Sequence, residues 1–281
     1  MQIVRTISQL NNLINAVKKE GKTVGFVPTM GYLHEGHISL VEEAKKHDDF
    51  IVMSIFVNPL QFGPNEDFEL YPRDLKRDEK LAKMANVDVI FYPDVQEMYQ
   101  KDLTCTVHVQ KGVNALCGKS RPGHFDGVAT VVLKLFNIVQ PTRAYFGMKD
   151  AQQVAVIENL IADFNVPVQL MKCKTLREED GLARSSRNVY LTNVERQQAP
   201  EIYRSLKQAV ENIEAGEKST SKLKEEMISH LSLTTTGEVD YVEILSYPSL
   251  DEISAIEGQV IIAIALKFSK ARLIDNVTIT V

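Results

Sequence analysis

The feature that most constrains the fold is a regular alternation, over the first 175 residues, of short apolar runs and amphipathic stretches. The apolar runs are continuous, which is typical of strands that are covered on both faces of a sheet. They span residues 23–28, 51–57, 87–92, 144–146 and 168–173. Because helical patterns separate them, the sequence predicts an α/β fold with a doubly wound parallel sheet.

The stretches between these runs carry apolar residues at helical spacing. Residues 126–139 show the pattern most clearly, and residues 37–46 and 150–163 show it as well. Asp150 stands where an N-cap is expected for the last of these helices. The first 175 residues therefore predict one strand-and-helix domain.

After residue 175 the alternation of apolar runs and amphipathic stretches ends. Thr192 and Glu195 have the spacing of a capping box that opens a helix, and Pro200 is expected to break it into two. Apolar runs at residues 239–247, 260–269 and 272–281 have no crossover helices between them, which favours an antiparallel sheet. The sequence thus predicts domains at 1–175 and 176–281, the second a smaller C-terminal α+β domain.

Composition excludes several classes of protein. Lys and Arg total 32 against 37 Asp and Glu, whereas a chain whose main partner is nucleic acid usually carries a basic excess. No apolar run approaches the roughly 18 residues of a membrane span, and the polar start argues against a secretory signal. Cys105, Cys117 and Cys173 follow no metal spacing and are interpreted as reduced, core-packed thiols of a cytoplasmic protein.

The first candidate motif is PTMGYLHEGH, residues 28–37, which follows a predicted strand and opens a predicted helix. Ligands of open α/β sheets bind at this edge, and a helix N-terminus favours phosphate. Gly31 and Gly36 allow close approach of the backbone to a ligand. His34 and His37 are three residues apart, so they can share one helix face and donate to a polyphosphate. A zinc pair, although no third ligand is nearby, or an incidental surface pair is the alternative.

Two further motifs follow later strands. NPLQFGP, residues 58–64, offers Gln61 as donor and acceptor to a hydroxyl or carboxylate, although the motif taken alone favours a merely solvated loop residue. GMKDAQQ, residues 147–153, offers Lys149 to an anion and Gln153 one turn further on. A capped helix with an exposed lysine is the alternative for this motif.

A fourth motif, ARSSRN at residues 183–188, combines hydroxyl and guanidinium groups, as in phosphate sites, and Arg187 could neutralise a departing pyrophosphate. A basic interdomain linker is the alternative. Arg121, in the rigid turn RPGHF, is a weaker candidate for an anion contact. Asp74 and Asp78 could approach a magnesium ion, and the metal ligands are left open.

Together, PTMGYLHEGH, NPLQF, RPGHFDGV, GMKDAQQ and ARSSRN resemble, in this order, the pantothenate synthetase (pantoate–β-alanine ligase) family over essentially the whole chain. The resemblance implies a nucleotidyltransferase-like Rossmann fold, a cytoplasmic homodimer, Mg²⁺, and the conversion of pantoate, β-alanine and ATP to pantothenate, AMP and pyrophosphate. The family pattern reads MSSRN where this chain has Arg184, so a side-chain role at that position does not carry over.

The resemblance also implies the roles of individual residues. His37 would be the proton donor, Gln61 would contact pantoate and β-alanine, and Gln153 would contact pantoate. From their charge, His34, Lys149 and Arg187 are further catalytic candidates, and Arg121 is a weaker candidate for a pantoate or phosphate contact. Apart from Leu176, the residues implied in ATP binding lie in three of the motifs: Met30, Gly31, Tyr32, Leu33, His34, Glu35, Gly36, His37, Gly147, Met148, Lys149, Asp150, Leu176, Arg184, Ser185, Ser186 and Arg187.

The chemistry fits these residues, because a carboxylate must be activated before an amine can attack it. We expect a local cationic site in an otherwise acidic chain, with no group that stands out as base for the β-alanine amine. Two other functions stay open at this point: a tRNA-associated adenylating enzyme, and a non-catalytic nucleotide sensor. Pyrophosphate release with pantoate, β-alanine or tRNA separates the three.

Overall fold

The computed structural model describes residues 1–63, 68–69, 71–101 and 103–281. Within these residues, six strands form one parallel sheet in the order β1-β4-β3-β2-β5-β6. The strands are β1 (Gln2–Val4), β2 (Val24–Thr29), β3 (Phe50–Ile55), β4 (Val89–Phe91), β5 (Arg143–Gly147) and β6 (Gln169–Cys173). The parallel sheet is confirmed, and the three-residue β1 is an addition that no sequence pattern indicated.

The winding direction reverses between β2 and β5. From β2 the chain continues to β3 and β4 on one side, whereas β5 and β6 lie on the other. Such a reversal opens a crevice at the carboxyl ends of the central strands, which is where open α/β sheets bind ligands. The β2 strand, whose first four residues are fully buried, therefore delivers residue 30 onward to this edge.

Helices connect the strands as the sequence predicted. They are α1 (Ile7–Lys19), α2 (Glu35–Ala44), α3 (Leu75–Met84), α4 (Val95–Met98), α5 (Leu116–Ser120), α6 (His124–Val139) and α7 (Ala151–Asp163). The helix predicted over 126–139 is confirmed and starts two residues earlier. Asp150 ends the 3-10 turn Met148–Asp150 and directly precedes α7, and its capping role stays a prediction.

Two compact units emerge from the contacts between residues. One comprises Met1–Gln110, Arg121–Gly147 and Val156–Lys174, and the other Lys111–Ser120, Met148–Ala155 and Thr175–Val281.

The second unit thus takes in two segments from the range predicted for the first domain. Side chains of this unit explain why. The amide of Gln152 donates to the carbonyls of Gly112 and Ala115, and that of Asn276 donates to those of Met148 and Lys149.

The second unit contains the predicted antiparallel sheet. Its strands β7 (Glu238–Ser246), β8 (Gln259–Lys267) and β9 (Arg272–Thr280) pair in sequence order. Helices α8 (Asn193–Gln198), α9 (Glu201–Glu214) and α10 (Thr220–Thr234) accompany it. The reciprocal hydrogen bonds of Thr192 and Glu195 confirm the capping box, and α8 and α9 meet at Pro200 as predicted.

No helix among the described residues is both long and apolar enough to cross a membrane. All three cysteines lie in the described part of the chain and are not joined in disulfides. Cys173 is buried, but Cys105 is exposed, so the expected core position is wrong there. The reason is local, because residues 105–110 form neither a helix nor a strand that could turn the thiol inward.

Candidate active site

The chain between β2 and α2, residues 30–34, is called the β2 loop below. Its backbone turns at Gly31, with φ +84°, where an added Cβ would lie 2.9 Å from a methyl carbon of Ile55. Thr29 supports the turn, since its hydroxyl accepts from the Gly31 N–H and donates to the Ser54 carbonyl. The glycine is therefore required by both backbone conformation and space.

A carboxylate from α3 holds the β2 loop in place. The two oxygens of Asp78 accept from the N–H groups of Tyr32 at 2.8 Å and Leu33 at 2.7 Å. Asp78 is 1% exposed, and this burial raises the pKa of its carboxyl, against the lowering effect of the two hydrogen bonds. The guanidinium of Arg77 lies over the Tyr32 ring, 4.8 Å from its centre.

The two histidines form the N-terminal cap of α2. His34 is the N-cap residue, in extended backbone, and its Nδ1 accepts from the Gly36 N–H at 3.1 Å. His37 lies at the third helical position, and its Nδ1 accepts from the His34 N–H at 3.3 Å. The rings lie 4.1 Å apart between centroids. The pair therefore meets through reciprocal capping rather than by sharing a helix face.

This cap determines the tautomer of both rings. A nitrogen that accepts from a backbone N–H carries no proton, so each neutral imidazole has its proton on Nε2. Both rings lie at the N-terminus of α2, beside the positive end of its dipole. The arrangement suits an anion, because donors and dipole are oriented before any ligand arrives.

The second candidate loop, residues 58–61, is called the β3 turn below. Gln61 is 7% exposed, although the sequence suggested a solvated loop residue as the alternative. Its Oε1 accepts from the Asn58 side chain at 3.0 Å. The Asn58 amide also donates to the Gly127 carbonyl, and its oxygen accepts from the Tyr99 hydroxyl. Pro64, the last residue of the predicted motif, lies outside the described residues.

The RPGHFDGV motif packs against the β3 turn. A Cβ on Gly127 would lie 2.1 Å from the Leu60 carbonyl oxygen, so only glycine permits this approach. The carbonyl of Gln61 accepts from His124 Nδ1 at 2.8 Å and from Arg121 at 3.2 Å. Arg121, predicted to contact an anion, is placed here at the backbone of a predicted substrate residue.

The second unit holds the residues predicted in GMKDAQQ after Gly147. The Nζ of Lys149 lies 3.6 Å from the Asp150 carboxylate, and the Asn276 amide binds the carbonyls of Met148 and Lys149. Gln153 is half-buried on α7. Its neighbour Gln152 is buried, and its side-chain oxygen has no hydrogen-bond partner among the described residues.

The ARSSRN motif lies in the same unit. The hydroxyl of Ser185 accepts from the Arg187 N–H and so caps the 3-10 turn Ser186–Tyr190. Arg187 is exposed. Arg184 donates its backbone N–H to the Leu176 carbonyl, and its guanidinium lies 3.6 Å from the Glu178 carboxylate. That ion pair gives the unusual arginine a structural partner.

The described residues contain no group of three or more His, Cys, Asp or Glu side chains that could hold a metal ion. Asp74 and Asp78, which the sequence offered to magnesium, both accept backbone N–H groups instead. Asp74 caps α3 by accepting from Arg77, and Asp78 is committed to the β2 loop. A metal site built from protein ligands alone therefore does not fit the described part of the chain.

Sequence reasoning missed the residues that hold the two loops. Asp78 was considered as a metal ligand, and Asn58, Tyr99 and Gly127 were given no role. Asn58 and Gly127 lay within quoted motifs, so their presence there was the available signal. Tyr99 belonged to no motif, and its contact with Asn58 spans 41 residues.

The sequence and the fold of this chain are similar to those of known proteins. The family model described as pantoate–β-alanine ligase matches residues 2–278. The chain belongs to the pantoate–β-alanine ligase family. Two relatives named pantothenate synthetase support this: one from Bacillus cereus (strain ZK / E33L) is 56% identical over all of both chains. One from Bacillus pumilus (strain SAFR-032) is 57% identical over 99% of this chain and 96% of its own.

Solved structures of the family have the same fold. Pantothenate synthetase from Thermus thermophilus matches with a TM-score of 0.92 at 44% identity, covering 99% of each chain. Pantoate-β-alanine ligase from Francisella tularensis, described as complexed with β-γ ATP and β-alanine, matches with a TM-score of 0.79 at 35% identity. That alignment covers 99% of this chain and 97% of the other. The nucleotidyltransferase-like fold implied by the resemblance is confirmed.

Proposed function

We propose that this chain joins pantoate to β-alanine, using ATP, and releases pantothenate, AMP and pyrophosphate. The observation that carries the proposal is the match of the pantoate–β-alanine ligase model over residues 2–278. The relative from Francisella tularensis, described with β-γ ATP and β-alanine, supports the choice of substrates. The donor-rich cap at the carboxyl edge of β2 is consistent with an anionic substrate.

In the first half-reaction, a pantoate carboxylate oxygen attacks the α-phosphorus of ATP. A P–O bond forms to the carboxylate, the bond to the β-phosphate oxygen breaks, and pyrophosphate leaves. Both reactants are anions, so the site must offset their repulsion and align them. We assign this task to the Nε2–H groups of His34 and His37, with His37 as proton donor, and to the α2 dipole.

Two cationic residues of the second unit are also part of this proposal. We assign Lys149 and Arg187 to the phosphates, and the backbones of Met148, Asp150 and residues 184–186 to nucleotide binding. Leu176 and Gly147 belong to the same proposed set. Exposure of Arg187 and fixation of the residue 148–149 carbonyls by Asn276 are consistent with these roles.

In the second half-reaction, the amine of β-alanine attacks the acyl carbon of pantoyl adenylate. A C–N bond forms, the C–O bond breaks, and AMP leaves with the oxygen that came from pantoate. The amine loses a proton, for which we assign no protein base. Gln61 and Gln153 are proposed to bind pantoate, and the second unit is proposed as a lid that protects the adenylate from water.

Three properties carry over from the family as parts of this proposal: Mg²⁺, a homodimer and a cytoplasmic location. Mg²⁺ is commonly held by substrate phosphates together with only one or two carboxylates. Because the described residues contain no group of three or more side chains that could hold a metal ion, we propose that the ion arrives with ATP. No step of the reaction is assigned to it. The unpaired thiols are consistent with a reducing compartment.

The proposal is tested by pyrophosphate release from ATP, measured with pantoate, β-alanine or tRNA added singly. Release that requires pantoate alone is expected, because the adenylate forms before the amine acts. A requirement for tRNA would favour the tRNA-associated alternative. Nucleotide binding with no release under any condition would favour the sensor, and either result would overturn the proposal.

A further inference from the structure

We infer that Asn58 and Tyr99 fix the side-chain amide of Gln61 so that it offers bound pantoate hydrogen-bond donors only. The inference rests on the proposed function, because Gln61 binds pantoate only under that proposal. It assigns Tyr99 and Asn58 as positioning residues. It also narrows the role of Gln61, which the residue type alone leaves as donor or acceptor.

Two backbone groups determine the orientation of Asn58. The Leu60 N–H, which can only donate, lies 3.3 Å from the Asn58 Oδ1. The Gly127 carbonyl, which can only accept, lies 3.1 Å from Nδ2. Asn58 is 1% exposed, and exchanging its oxygen and nitrogen would oppose like groups at both contacts. The positions of its oxygen and nitrogen are therefore set by the backbone.

The orientation of Gln61 follows from that of Asn58. One Nδ2 proton of Asn58 goes to Gly127, and the other goes to Gln61 Oε1 at 3.0 Å. Since only an acceptor can face this proton, Oε1 lies toward Asn58 and Nε2 lies on the other branch of the amide. Gln61 is 7% exposed, so a reversed amide would leave a buried mismatch.

Tyr99 completes the arrangement from the residue after α4. Its hydroxyl donates to Asn58 Oδ1 at 2.8 Å, and its ring packs edge-on against Phe56. Burial raises the pKa of Tyr99, which keeps the hydroxyl protonated and available as a donor. The Asn58 amide is thereby held at both ends, by two donors on its oxygen and two acceptors on its nitrogen.

A fixed donor has a consequence for substrate recognition. Nε2–H groups stabilise a carboxylate oxygen or a hydroxyl lone pair, and they oppose a ligand group that can only donate. The oxygen-rich pantoate fits such a group. Loosening the amide should therefore weaken pantoate binding while leaving the ATP-binding residues of the β2 loop unaffected.

The direct test is Tyr99→Phe, which keeps the ring and removes the hydroxyl. We expect the KM for pantoate to rise about fivefold, the order of one lost hydrogen bond, with KM for ATP and melting temperature nearly unchanged. Tyr92→Phe is the matched control, since it removes the same hydroxyl from a residue that follows β4, and it should leave every constant unchanged. Equal rises in both KM values, or no rise at all, would overturn the inference.

Asn58→Asp tests the same hydrogen bonds by reversing the orientation of the Gln61 amide. An aspartate accepts at both oxygens, so it draws the Gln61 Nε2 toward itself and turns Oε1 to the substrate. The KM for pantoate should rise at least tenfold, more than in Tyr99→Phe. A folded Asn58→Asp protein with the wild-type KM would contradict the inference, and if it does not fold, Tyr99→Phe decides. Absence of pantoate-dependent release in the wild type would refute the proposed function instead.

Discussion

The β2 loop and the β3 turn follow neighbouring parallel strands, yet they are held in different ways. The β2 loop is held from outside by Asp78, whose carboxylate binds two backbone N–H groups. The β3 turn is held by neutral amides and by the close approach of Gly127. One loop therefore depends on a single ionisable group, and the other on a packed network without charge at its centre.

This difference separates the two binding tasks of the proposed reaction. In the β2 loop the backbone is fixed, and the histidine rings that follow provide the donors. In the β3 turn the side chain of Gln61 is itself part of the network. Changes to the first region should affect ATP and phosphate chemistry, whereas changes to the second should affect pantoate.

The largest effect is expected from His37→Ala. Loss of an oriented donor should reduce pantoate-dependent pyrophosphate release by roughly 10²-fold or more, with the fold retained. Circular dichroism and a pyrophosphate assay measure the two properties. His47→Ala, which removes an exposed histidine paired with Glu43, is the control and should keep wild-type activity. Near-normal release from His37→Ala would remove His37 from the mechanism.

Gly127→Ala should act on the β3 turn. Alanine normally stabilises a helix interior relative to glycine, but here its Cβ would lie 2.1 Å from the Leu60 oxygen. We expect a loss of about 2 kcal/mol in unfolding free energy and a KM for pantoate raised roughly 30-fold. Urea denaturation and kinetics check both. Asn137→Ala, at an exposed position of α6, is the control, and equal behaviour of the two variants would contradict the close approach.

Asp78→Asn should act on the β2 loop. The substitution keeps the shape but places an NH₂ group against a backbone N–H of Tyr32 or Leu33. We expect the KM for ATP to rise about tenfold, with less change for pantoate. Asp74→Asn is the matched control, because asparagine caps a helix as well as aspartate does. A larger effect on pantoate than on ATP would reverse the division between the two regions.

The smallest effect is a pH dependence that only the β2 loop should show. Burial raises the pKa of Asp78 above the ordinary 3.8. As the pH falls through this raised pKa, protonation removes an acceptor from the loop, so the KM for ATP should rise a few-fold. The KM for pantoate should respond less, and titration of both constants measures the difference. An identical acid response in Asp78→Asn would contradict the assignment.

Protonation of Asp78 would not itself unfold the protein. A carboxyl with a raised native pKa binds its proton more tightly in the folded state than in the unfolded one. Between the two pKa values, the contribution of Asp78 to the free energy of unfolding therefore increases as the pH falls. Weaker ATP binding together with unchanged or higher stability would identify the loop itself as the titrating element.

Local patterns predicted much of this molecule. The apolar runs predicted five of the parallel strands, and the capping box at Thr192 and the break at Pro200 are confirmed. The β1 strand has only three residues, too few to show a periodic pattern of apolar side chains. Histidine is not among the usual N-cap residues, so the capping role of His34 could not be read from its type.

Contacts distant in sequence account for what could not be predicted at the site. Asp78 lies 45 and 46 residues from the N–H groups that it binds, and Tyr99 lies 41 from Asn58. Neither contact produces a spacing of residues that could be recognised from the sequence. The need for glycine at 127 likewise arises from the carbonyl of Leu60, which only the folded chain brings near. Whether Lys149 and Arg187 act with the histidines stays a prediction.

The central claim is that the pantoate carboxylate is activated by attack on the α-phosphorus of ATP. It is tested most directly with pantoate labelled with ¹⁸O in its carboxylate, followed by mass spectrometry of the products. We predict one ¹⁸O atom in each AMP molecule, because the bridging oxygen leaves with AMP. Label in inorganic phosphate, or AMP without label, would contradict the claim.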